Sequence, residues 1–340
     1  KLANLIETNN ISVDSLQVRM PISLCELRHR DLKEKKFIVS TDGEQVGTIE
    51  PNKHLSSYSG ITVIYKIKQI PHWNPSTGKN YYLPCLCIGI PSKVLKSDYL
   101  NGITVNNLEN VYGYLDSLKV ASFDYKVFEN SSCTDIDYKC DFDTCQLGYD
   151  NFDGFTKDLS LIAKPATERN LGLNRFATST NKGIEFQTRK NTYKNITYPY
   201  LKFYNKMLEL LSDKSREFAD TYLYGQEIKD CRFETTVKDK KHLRSLGIKD
   251  SSLINLVSLG KEKKEKILLN AINRNLVGGK IGINSKDLSK LTYFDKMYVL
   301  AVRNGCMSID QLEAIYEASF SCKYARGKAR KKVEKLRPYC

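Results

Sequence analysis

Polar and apolar residues alternate along the stretch from Cys133 to Asp143, which reads C-T-D-I-D-Y-K-C-D-F-D. Successive side chains of a β-strand point to opposite faces of its sheet. The pattern therefore predicts a strand with one apolar and one charged face. The apolar face would carry Ile136, Tyr138, Cys140 and Phe142. The charged face would carry Asp135, Asp137, Lys139, Asp141 and Asp143.

Four carboxylates on one face of a strand repel one another, so the arrangement needs a compensating interaction. A bound divalent cation is one such interaction, because Mg²⁺ and similar hard ions prefer carboxylate oxygens. The alternative is a solvated edge strand whose acidic residues discourage aggregation. The strand taken alone favours neither interpretation.

Two later stretches divide in the same way. They are Tyr200–Lys206, Y-L-K-F-Y-N-K, and Cys231–Val237, C-R-F-E-T-T-V. Their polar faces would carry Lys202 and Tyr204 in the first stretch, and Arg232 and Glu234 in the second. Placed side by side in one sheet, the three strands would gather carboxylates, a tyrosine, two lysines and an arginine above one surface. Their adjacency is an inference, since no local pattern fixes which strands pair.

The remaining pattern predicts further strands and helices. Alternation and β-branched residues predict strands at Ile61–Ile70, Tyr81–Ile90 and Gly183–Arg189. Apolar spacings of three and four predict helices at 108–118, 206–223 and 287–303. Ser308 and Gln311 have the spacing of a capping box that opens one more helix.

His72 and Trp73 fall in the predicted loop between the first two strands. In that position their rings could stack on a nucleic-acid base. The alternative is that the tryptophan packs back on its own hairpin, which is the commoner arrangement.

Composition limits the class of protein. The 340 residues are long enough for a substantial core and for two domains. The formal charge of +14 favours a polyanionic partner, first of all nucleic acid. An anionic membrane surface is less favoured, because the sequence shows no basic amphipathic helix flanked by Trp and Leu. No apolar run approaches the roughly 20 residues of a membrane span, and the first residues lack the apolar core of a signal peptide.

The ten cysteines are scattered along the chain and form no C-x-x-C pair. His29 lies near Cys25, but the spacings of a zinc site are absent. We therefore expect mostly buried, reduced thiols in a cytoplasmic protein.

Two basic clusters are candidates for contacts with DNA phosphates. The first precedes the tyrosine stretch and contains Arg189, Lys190 and Lys194. The second lies in residues 323–337, where eight Lys or Arg accompany one Glu, and contains Arg326, Lys328, Arg330, Lys331 and Lys332. A solvated helix normally mixes both signs, so an unbalanced one favours a contact with a nucleic-acid backbone. The alternative for each cluster is an ordinary solvated surface.

The ordered segments D-I-D-Y-K-C-D-F-D, L-K-F-Y-N-K and C-R-F-E-T-T-V-K resemble the motifs of rolling-circle replication initiators of plasmids and of the related filamentous-phage gene II endonucleases. The likeness covers about residues 60–250. It implies an α+β fold, with helices on one face of a central antiparallel sheet in an RRM-like nuclease core. The implied domains are a nicking domain at 1–250 and a basic helical DNA-binding region at 251–340.

The resemblance also implies residue roles. Tyr204 falls on the nucleophile, which would attack a phosphodiester and leave a 5′-phosphotyrosine and a free 3′-hydroxyl. Asp137, Asp141 and Glu234 would hold Mg²⁺ or Mn²⁺, while Lys206 and Arg232 would neutralise phosphate oxygens. Lys202 would contact DNA.

The partners implied are origin DNA, a host helicase and a polymerase in the bacterial cytoplasm, with a homodimer left open. The chain lacks the His-x-His metal motif of many replication nucleases, so carboxylates would have to hold the metal. Two alternatives remain: a non-catalytic DNA-binding repressor or packaging factor, and an RNA-processing nuclease that forms no covalent adduct.

Overall fold

The structure is a computed structural model. It describes residues 2–33, 36–39, 45–49, 53–161, 175–180, 183–189, 197–238, 240–276, 291–303, 307–318, 327, 331–334 and 336.

The strands follow one another along most of the described chain. They are β1 (Ile11–Pro21), β2 (Cys25–Leu27), β3 (Lys36–Val39), β4 (Gln45–Ile49), β5 (Lys53–Tyr58), β6 (Ile61–Asn74), β7 (Lys79–Pro91), β8 (Ala121–Phe123), β9 (Ser132–Phe142), β10 (Arg175–Thr180), β11 (Gly183–Arg189), β12 (Thr197–Asn205) and β13 (Cys231–Lys238).

Nine of these described strands form one sheet in the order β10-β11-β12-β13-β9-β1-β7-β6-β5, and each neighbouring pair is antiparallel. The strands β2 and β8, and likewise β3 and β4, pair separately. The predicted acidic strand is β9. The strands of the other two motifs follow it in the sheet, first β13 and then β12. The adjacency inferred from the three motifs is therefore confirmed.

Helices occupy the connections and the later part of the chain. They are α1 (Leu2–Thr8), α2 (Arg30–Lys33), α3 (Leu108–Ser117), α4 (Tyr125–Glu129), α5 (Phe152–Leu161), α6 (Lys206–Leu210), α7 (Asp213–Tyr222), α8 (Lys240–Ser245), α9 (Leu253–Val257), α10 (Lys261–Asn275), α11 (Tyr293–Arg303) and α12 (Ile309–Ala318). Short 3-10 helices span Ile22–Leu24, Ser92–Asn101, Val105–Asn107 and Thr144–Leu147. The α+β class with a large antiparallel sheet is thus confirmed.

One face of the sheet lies in the hydrophobic core, and the other is called the open face below. On β9, every second residue from Ile136 to Phe142 is buried in the core, as the alternation predicted. Helix α9 packs on the core face, where the Tyr138 hydroxyl donates a 3.0 Å hydrogen bond to the Leu256 carbonyl. Helix α10 buries Ile267, Leu268 and Ile272 and contacts β1, β12 and β13. The first two helices after residue 250 therefore cover the same sheet that carries the three motifs.

Several predicted elements differ in extent from the observed ones. The strand β6 continues to Asn74, and β7 begins at Lys79. His72 and Trp73 therefore lie within β6 instead of in the loop. The predicted helix at 206–223 is two helices, because Ser212 has an extended backbone and begins a new one. The capping box is confirmed: Gln311 N–H donates to Ser308 Oγ at 3.1 Å, and Ser308 N–H donates to Gln311 Oε1 at 2.7 Å.

The seven cysteines in the described part of the chain are free thiols, and five of them are buried. Among the helices described, none combines the length and the apolar character that crossing a bilayer requires.

Candidate functional site

Two rows of paired residues run across β12, β13 and β9 on the open face. One row joins Tyr204, Arg232 and Asp141, and the other joins Lys202, Glu234 and Lys139. Directly paired residues of antiparallel strands stand about 4.5–5.5 Å apart, so the register brings these polar groups into contact. Separate segments of the sequence thus meet on one surface.

A pocket of about 660 Å³ opens above these rows. Polar side chains supply most of its lining residues, which come from β1, β7, β9, β11, β12, β13, α6 and the 3-10 segment Ser92–Asn101. The charged and hydroxyl-bearing residues that line it are Asp14, Ser15, Ser92, Lys93, Tyr99, Asp137, Glu185, Lys202, Tyr204, Lys206, Glu209 and Glu234.

Tyr204 stands at the end of β12, where Asn205 caps α6 by accepting a 2.9 Å hydrogen bond from Leu208 N–H. The Tyr204 hydroxyl donates a 3.1 Å hydrogen bond to Glu234 Oε2. Burial, together with the Glu234 carboxylate, raises the pKa of the Tyr204 phenol well above its usual value. The phenol is therefore protonated at neutral pH, and its nearest proton acceptor is Glu234.

Glu234 is almost completely buried, and its Oε1 forms an ion pair with Lys202. Burial raises the pKa of Glu234 to about 7, since desolvation outweighs the attraction of Lys202. For Lys202, burial lowers the pKa, but Glu234, Asp137 and Asp14 together outweigh it and the net shift is upward. Glu234 can thus gain or lose a proton near neutral pH beside a permanently charged ammonium group.

Asp137 lies one strand away and lines the same pocket. Its Oδ2 accepts a 2.6 Å hydrogen bond from Ser15 Oγ. Its Oδ1 is buried and has no hydrogen-bond partner within the described residues, although the Thr236 side chain lies close to the carboxyl group. Burial raises the pKa of this group, and the Thr236 side chain opposes the shift. A buried carboxylate oxygen without a donor fits a cation, because the ion would supply the missing interaction.

Asp14 is a further carboxylate of this pocket, although no motif singled it out. It lies on β1 where the register with β9 shifts between Val13 and Ser15. Its Oδ1 accepts hydrogen bonds from Arg232 Nη1 at 2.5 Å and Ser92 Oγ at 3.0 Å. Burial opposes ionisation, but Arg232, Lys206 and Lys139 together outweigh it and hold the pKa of Asp14 well below its usual range.

Arg232 and Asp141 lie beneath the pocket and do not line it. Arg232 is completely buried. Asp141 receives Arg232 Nε at 2.6 Å, Arg232 Nη2 at 2.8 Å and Lys139 Nζ at 2.9 Å. Burial opposes ionisation, yet these cations lower the pKa of Asp141 to about 2. The geometry therefore favours Asp141 as the counter-ion of Arg232 over its predicted place as a metal ligand, and it does not favour Arg232 as a direct phosphate contact.

Lys206, also predicted to act on phosphate, lines the pocket but is nearly buried. It donates to the Tyr99 hydroxyl and, at 2.6 Å, to Glu209 Oε2. Burial and the neighbouring Arg232 lower the pKa of its ammonium group. Lys93 stands close by and donates to Ser215 Oγ at 2.8 Å.

Most of the predicted DNA-contacting residues lie outside the part of the chain that can be assessed. Lys190, Lys194, Arg326, Lys328 and Arg330 are outside the described residues, and of Arg189 only the backbone in β11 is described. Lys331 and Lys332 are exposed, and Lys332 forms a 2.8 Å ion pair with Asp295. The basic C-terminal helix and the domain boundary at residue 250 stay predictions.

A separate group of metal-ligand type joins the start of α2 to β5. Asp31 Oδ2 lies 3.4 Å from His54 Nδ1 and 3.8 Å from His29 Nδ1. The candidate ligand atoms of these three residues all lie within 4.8 Å of one another. No local pattern indicates this group, because His54 is distant from His29 along the chain.

The pocket therefore combines a phenol, a carboxyl group that titrates near neutrality, buried carboxylates and an ammonium group. These are the parts that a metal-assisted phosphoryl transfer to tyrosine needs. The sequence pattern could not identify Asp14 or Tyr99 as site residues. Asp14 lies at a bulge of β1, and Tyr99 lies in a 3-10 segment. Comparison of the chain with protein-family models, with curated proteins and with solved structures gave no match.

Proposed function

We propose that the chain is a rolling-circle replication initiator that nicks one strand of DNA through Tyr204. The observation that carries this proposal is the hydrogen bond from Tyr204 to Glu234 beside Lys202 and Asp137 in one pocket. The ordered motifs that resemble the family fall on these same residues. A nucleophile and a base within hydrogen-bond reach are the signature of covalent catalysis.

The proposed step begins when Glu234 Oε2 takes the phenolic proton of Tyr204. The phenolate oxygen attacks the phosphorus, a new Tyr204 Oη–phosphorus bond forms, and the bond to the 3′ oxygen breaks. The 3′ oxygen leaves and takes a proton from water, which gives a free 3′-hydroxyl and a 5′-phosphotyrosine. A base whose pKa is close to the working pH is well suited to such a transfer.

The lysine and the carboxylates have separate parts in this proposal. Lys202 is charged throughout the neutral range and stands beside the nucleophile, so it can pair with a phosphate oxygen. Asp137 and Asp14 are the pocket carboxylates that would hold Mg²⁺ or Mn²⁺. Glu234, which the resemblance also places among the ligands, is assigned the role of base instead, because its two oxygens already pair with Lys202 and Tyr204. Such an ion, when bound, polarises the phosphate. Arg232 and Asp141 are positioning residues: their contacts hold Asp14 and the strands that carry Tyr204 and Glu234 in place.

The order of the central strands supports an RRM-like core as part of the same proposal. The strands β9, β1, β7 and β6 are neighbours, with α2 between β1 and β6 along the chain and α3 between β7 and β9. A split β-α-β-β-α-β unit has its first and third strands in the centre, the places that β1 and β7 take here. On this interpretation, β2 to β5 are additions to the unit.

The test is a search for the covalent adduct. The protein would be incubated with Mn²⁺ and a labelled single-stranded library of random sequence, and complexes that survive denaturation in SDS would be recovered and sequenced. We expect adducts on one short sequence, linked at Tyr204 by mass spectrometry. Tyr204→Phe should abolish them, whereas Tyr224→Phe, at a side chain that is 92% exposed, should leave them unchanged.

One observation favours the rival function of a non-catalytic DNA-binding protein. Asp14, Asp141 and Glu234 each already pair with a cation of the chain, so three carboxylates of the site are electrically compensated without a metal. That rival predicts DNA binding without any adduct or nick in either metal. Cleavage without an adduct would instead point to an RNA-type or hydrolytic nuclease.

A further inference from the structure

A row of cations crosses four strands of the open face, away from the pocket. Lys53 on β5 pairs with Lys66 on β6, Lys66 with Cys87 on β7, and Cys87 with Arg19 on β1. Lys68 follows Lys66 by two residues and so points to the same face. We call Arg19, Lys53, Lys66 and Lys68 the cation row.

The cation row lacks compensation within the protein. None of its four members forms an ion pair with a carboxylate in the part of the chain that the structure describes. Like charges directly opposite each other, such as Lys53 and Lys66, destabilise a sheet. Burial, followed by the charges of Lys68 and Lys53, lowers the pKa of Lys66. A bound polyanion would relieve this repulsion.

A groove lies between the cation row and the pocket. None of the four cations lines it, but its residues Gln17 and Ile64 precede Arg19 and Lys66 by two positions and so share their face. The groove runs over the open face between Thr62 on β6 and Thr236 on β13 and shares Ser15, Pro91 and Asp137 with the pocket. Arg19 is four residues from Ser15 along β1, a distance of about 13 Å in an extended strand. An extended polyanion on the cation row would follow this groove to the pocket and would pass the carboxyl groups of Asp135 and Asp137 on the way.

The outer part of the β6–β7 hairpin adds two rings to this surface. His72 and Tyr81 are directly paired, and their ring centroids are 5.7 Å apart. Both residues are exposed, and they point to the same face as Lys68, since each strand alternates without a shift up to that point. Tyr82, the next residue, is also exposed but points to the opposite face.

We infer that the cation row and the His72–Tyr81 pair form a binding track for single-stranded nucleic acid that leads into the pocket. Phosphates lie on the cation row, and an unpaired base stacks on the exposed rings, as in other proteins that bind single strands. A duplex is less suited, because its bases are already stacked on one another. The inference rests on the proposed function only in naming DNA as the strand delivered to Tyr204; binding itself requires no cleavage.

The experiment measures affinity by fluorescence anisotropy, with fluorescein-labelled oligothymidylate in EDTA and a series of KCl concentrations. Lys66→Met and Lys68→Met keep the aliphatic stem and remove the charge. Each should weaken binding and reduce the slope of log affinity against log salt by about 0.7, the value for one phosphate contact on a single strand. Lys249→Met, at an exposed lysine elsewhere, is the matched control and should leave the slope unchanged.

The aromatic part of the track is tested with the same probe. Tyr81→Ala and His72→Ala should each weaken binding about tenfold, while the salt slope stays the same. Tyr82→Ala is the control, because it removes a ring of the same hairpin from the opposite face. Thermal melting of every variant separates lost binding from lost folding; Lys66→Met should not melt lower, since it removes a repulsive charge.

The outcomes are distinguishable from failure of the nuclease proposal. The anisotropy titration in EDTA measures binding without cleavage, so a parent chain that forms no adduct can still confirm the track. Unchanged affinity in the Lys66, Lys68 and Tyr81 variants would overturn it. So would a parent chain that ignores single strands and binds duplex DNA, an acidic protein or phosphatidylserine vesicles through the cation row.

Discussion

Arg232 holds Asp141 through two parallel hydrogen bonds, from Nε at 2.6 Å and from Nη2 at 2.8 Å. The two residues are directly paired between β13 and β9, the strands that carry Glu234 and Asp137. A bidentate pair of this kind fixes direction as well as distance. The relative position of the Glu234 and Asp137 carboxyl groups therefore depends on the Arg232–Asp141 ion pair below the pocket.

Asp141→Asn should destabilise the protein strongly. It leaves the guanidinium of Arg232 buried without one of its two counter-ions, a change that typically costs about 3–5 kcal/mol. The free energy of unfolding from urea titration at pH 7 measures the loss. Asp220→Asn, at an exposed carboxylate, is the matched control and should change stability by no more than about 0.5 kcal/mol. Equal, small effects of the two variants would show that the pair adds little to stability.

The same pair should make the protein sensitive to acid. Asp141 has a folded-state pKa lowered to about 2, so it binds its proton less readily in the folded than in the unfolded chain. Its contribution, about 2 kcal/mol, is fully present above the unfolded value near 4 and is lost as the pH falls toward 2. Urea titrations between pH 6 and pH 2.5 should show this decline, and Asp141→Asn should make it shallower. A parallel decline in that variant would assign the effect to other groups.

The rate of adduct formation should rise with pH, reach half of its maximum near pH 7 and level off above about pH 8. Glu234 must be unprotonated to accept the phenolic proton, and its pKa is raised to about 7. Lys202 adds no decline on the alkaline side below pH 9, because its own pKa is shifted upward. Single-turnover rates of the parent chain and of Glu234→Gln, measured from pH 5 to pH 9, test this. The variant should be slow and independent of pH; a variant that retains the parent's profile would remove Glu234 from the role of base.

Asp137→Asn should raise the concentration of Mg²⁺ or Mn²⁺ that the reaction requires more than any other single change at the pocket. The substitution removes the charge of a carboxylate that has one uncompensated buried oxygen. The metal concentration for half-maximal adduct formation should rise by about tenfold or more, as even outer partners of metal ligands cost that much. His54→Ala serves as the control, since it disrupts the separate His29–Asp31–His54 group. A larger effect of His54→Ala would move the catalytic metal to that group.

Gly183→Ala should damage the site through the backbone. Gly183 has φ of +155°, and an added Cβ would meet the backbone of Phe203 and come within 2.6 Å of the Tyr204 Cα. The strand β11 would have to move away from β12, and Tyr204 with it. We expect lower stability and slower adduct formation. Gly113→Ala in α3 is the control: its Cβ meets nothing within 4 Å, and the change should stabilise the helix by about 0.5–1 kcal/mol.

The alternation of the sequence was sufficient to predict which side chains of the three motif strands share a face. Ile136 and Tyr138 lie in the core, and Asp137 and Asp141 lie opposite them, because a strand has a period of two whatever its neighbours are. The same logic predicted Lys202 with Tyr204, and Arg232 with Glu234. Helix starts with a local signal, such as the Ser308–Gln311 box, were predictable for the same reason.

Local pattern could not tell which carboxylates of the charged face are open to the pocket and which are enclosed by other side chains. Asp137 and Asp141 look alike in the sequence, yet one faces the pocket and the other is enclosed by Arg232 and Lys139. Asp14 faces the pocket because of a bulge in β1, and Tyr99 lies in a 3-10 segment from a distant part of the chain. Burial and cross-strand pairing depend on segments that are far apart in sequence, so they have no local signature.

The sequence by itself therefore determined the three motif strands, their two faces and the chemical groups available on each. Only the tertiary structure decided that β12, β13 and β9 are neighbours, that Tyr204 meets Glu234, and which carboxylates remain open to a ligand. The reason is physical: the direction of a side chain follows from its own backbone, whereas its partners and its desolvation follow from how distant strands pair.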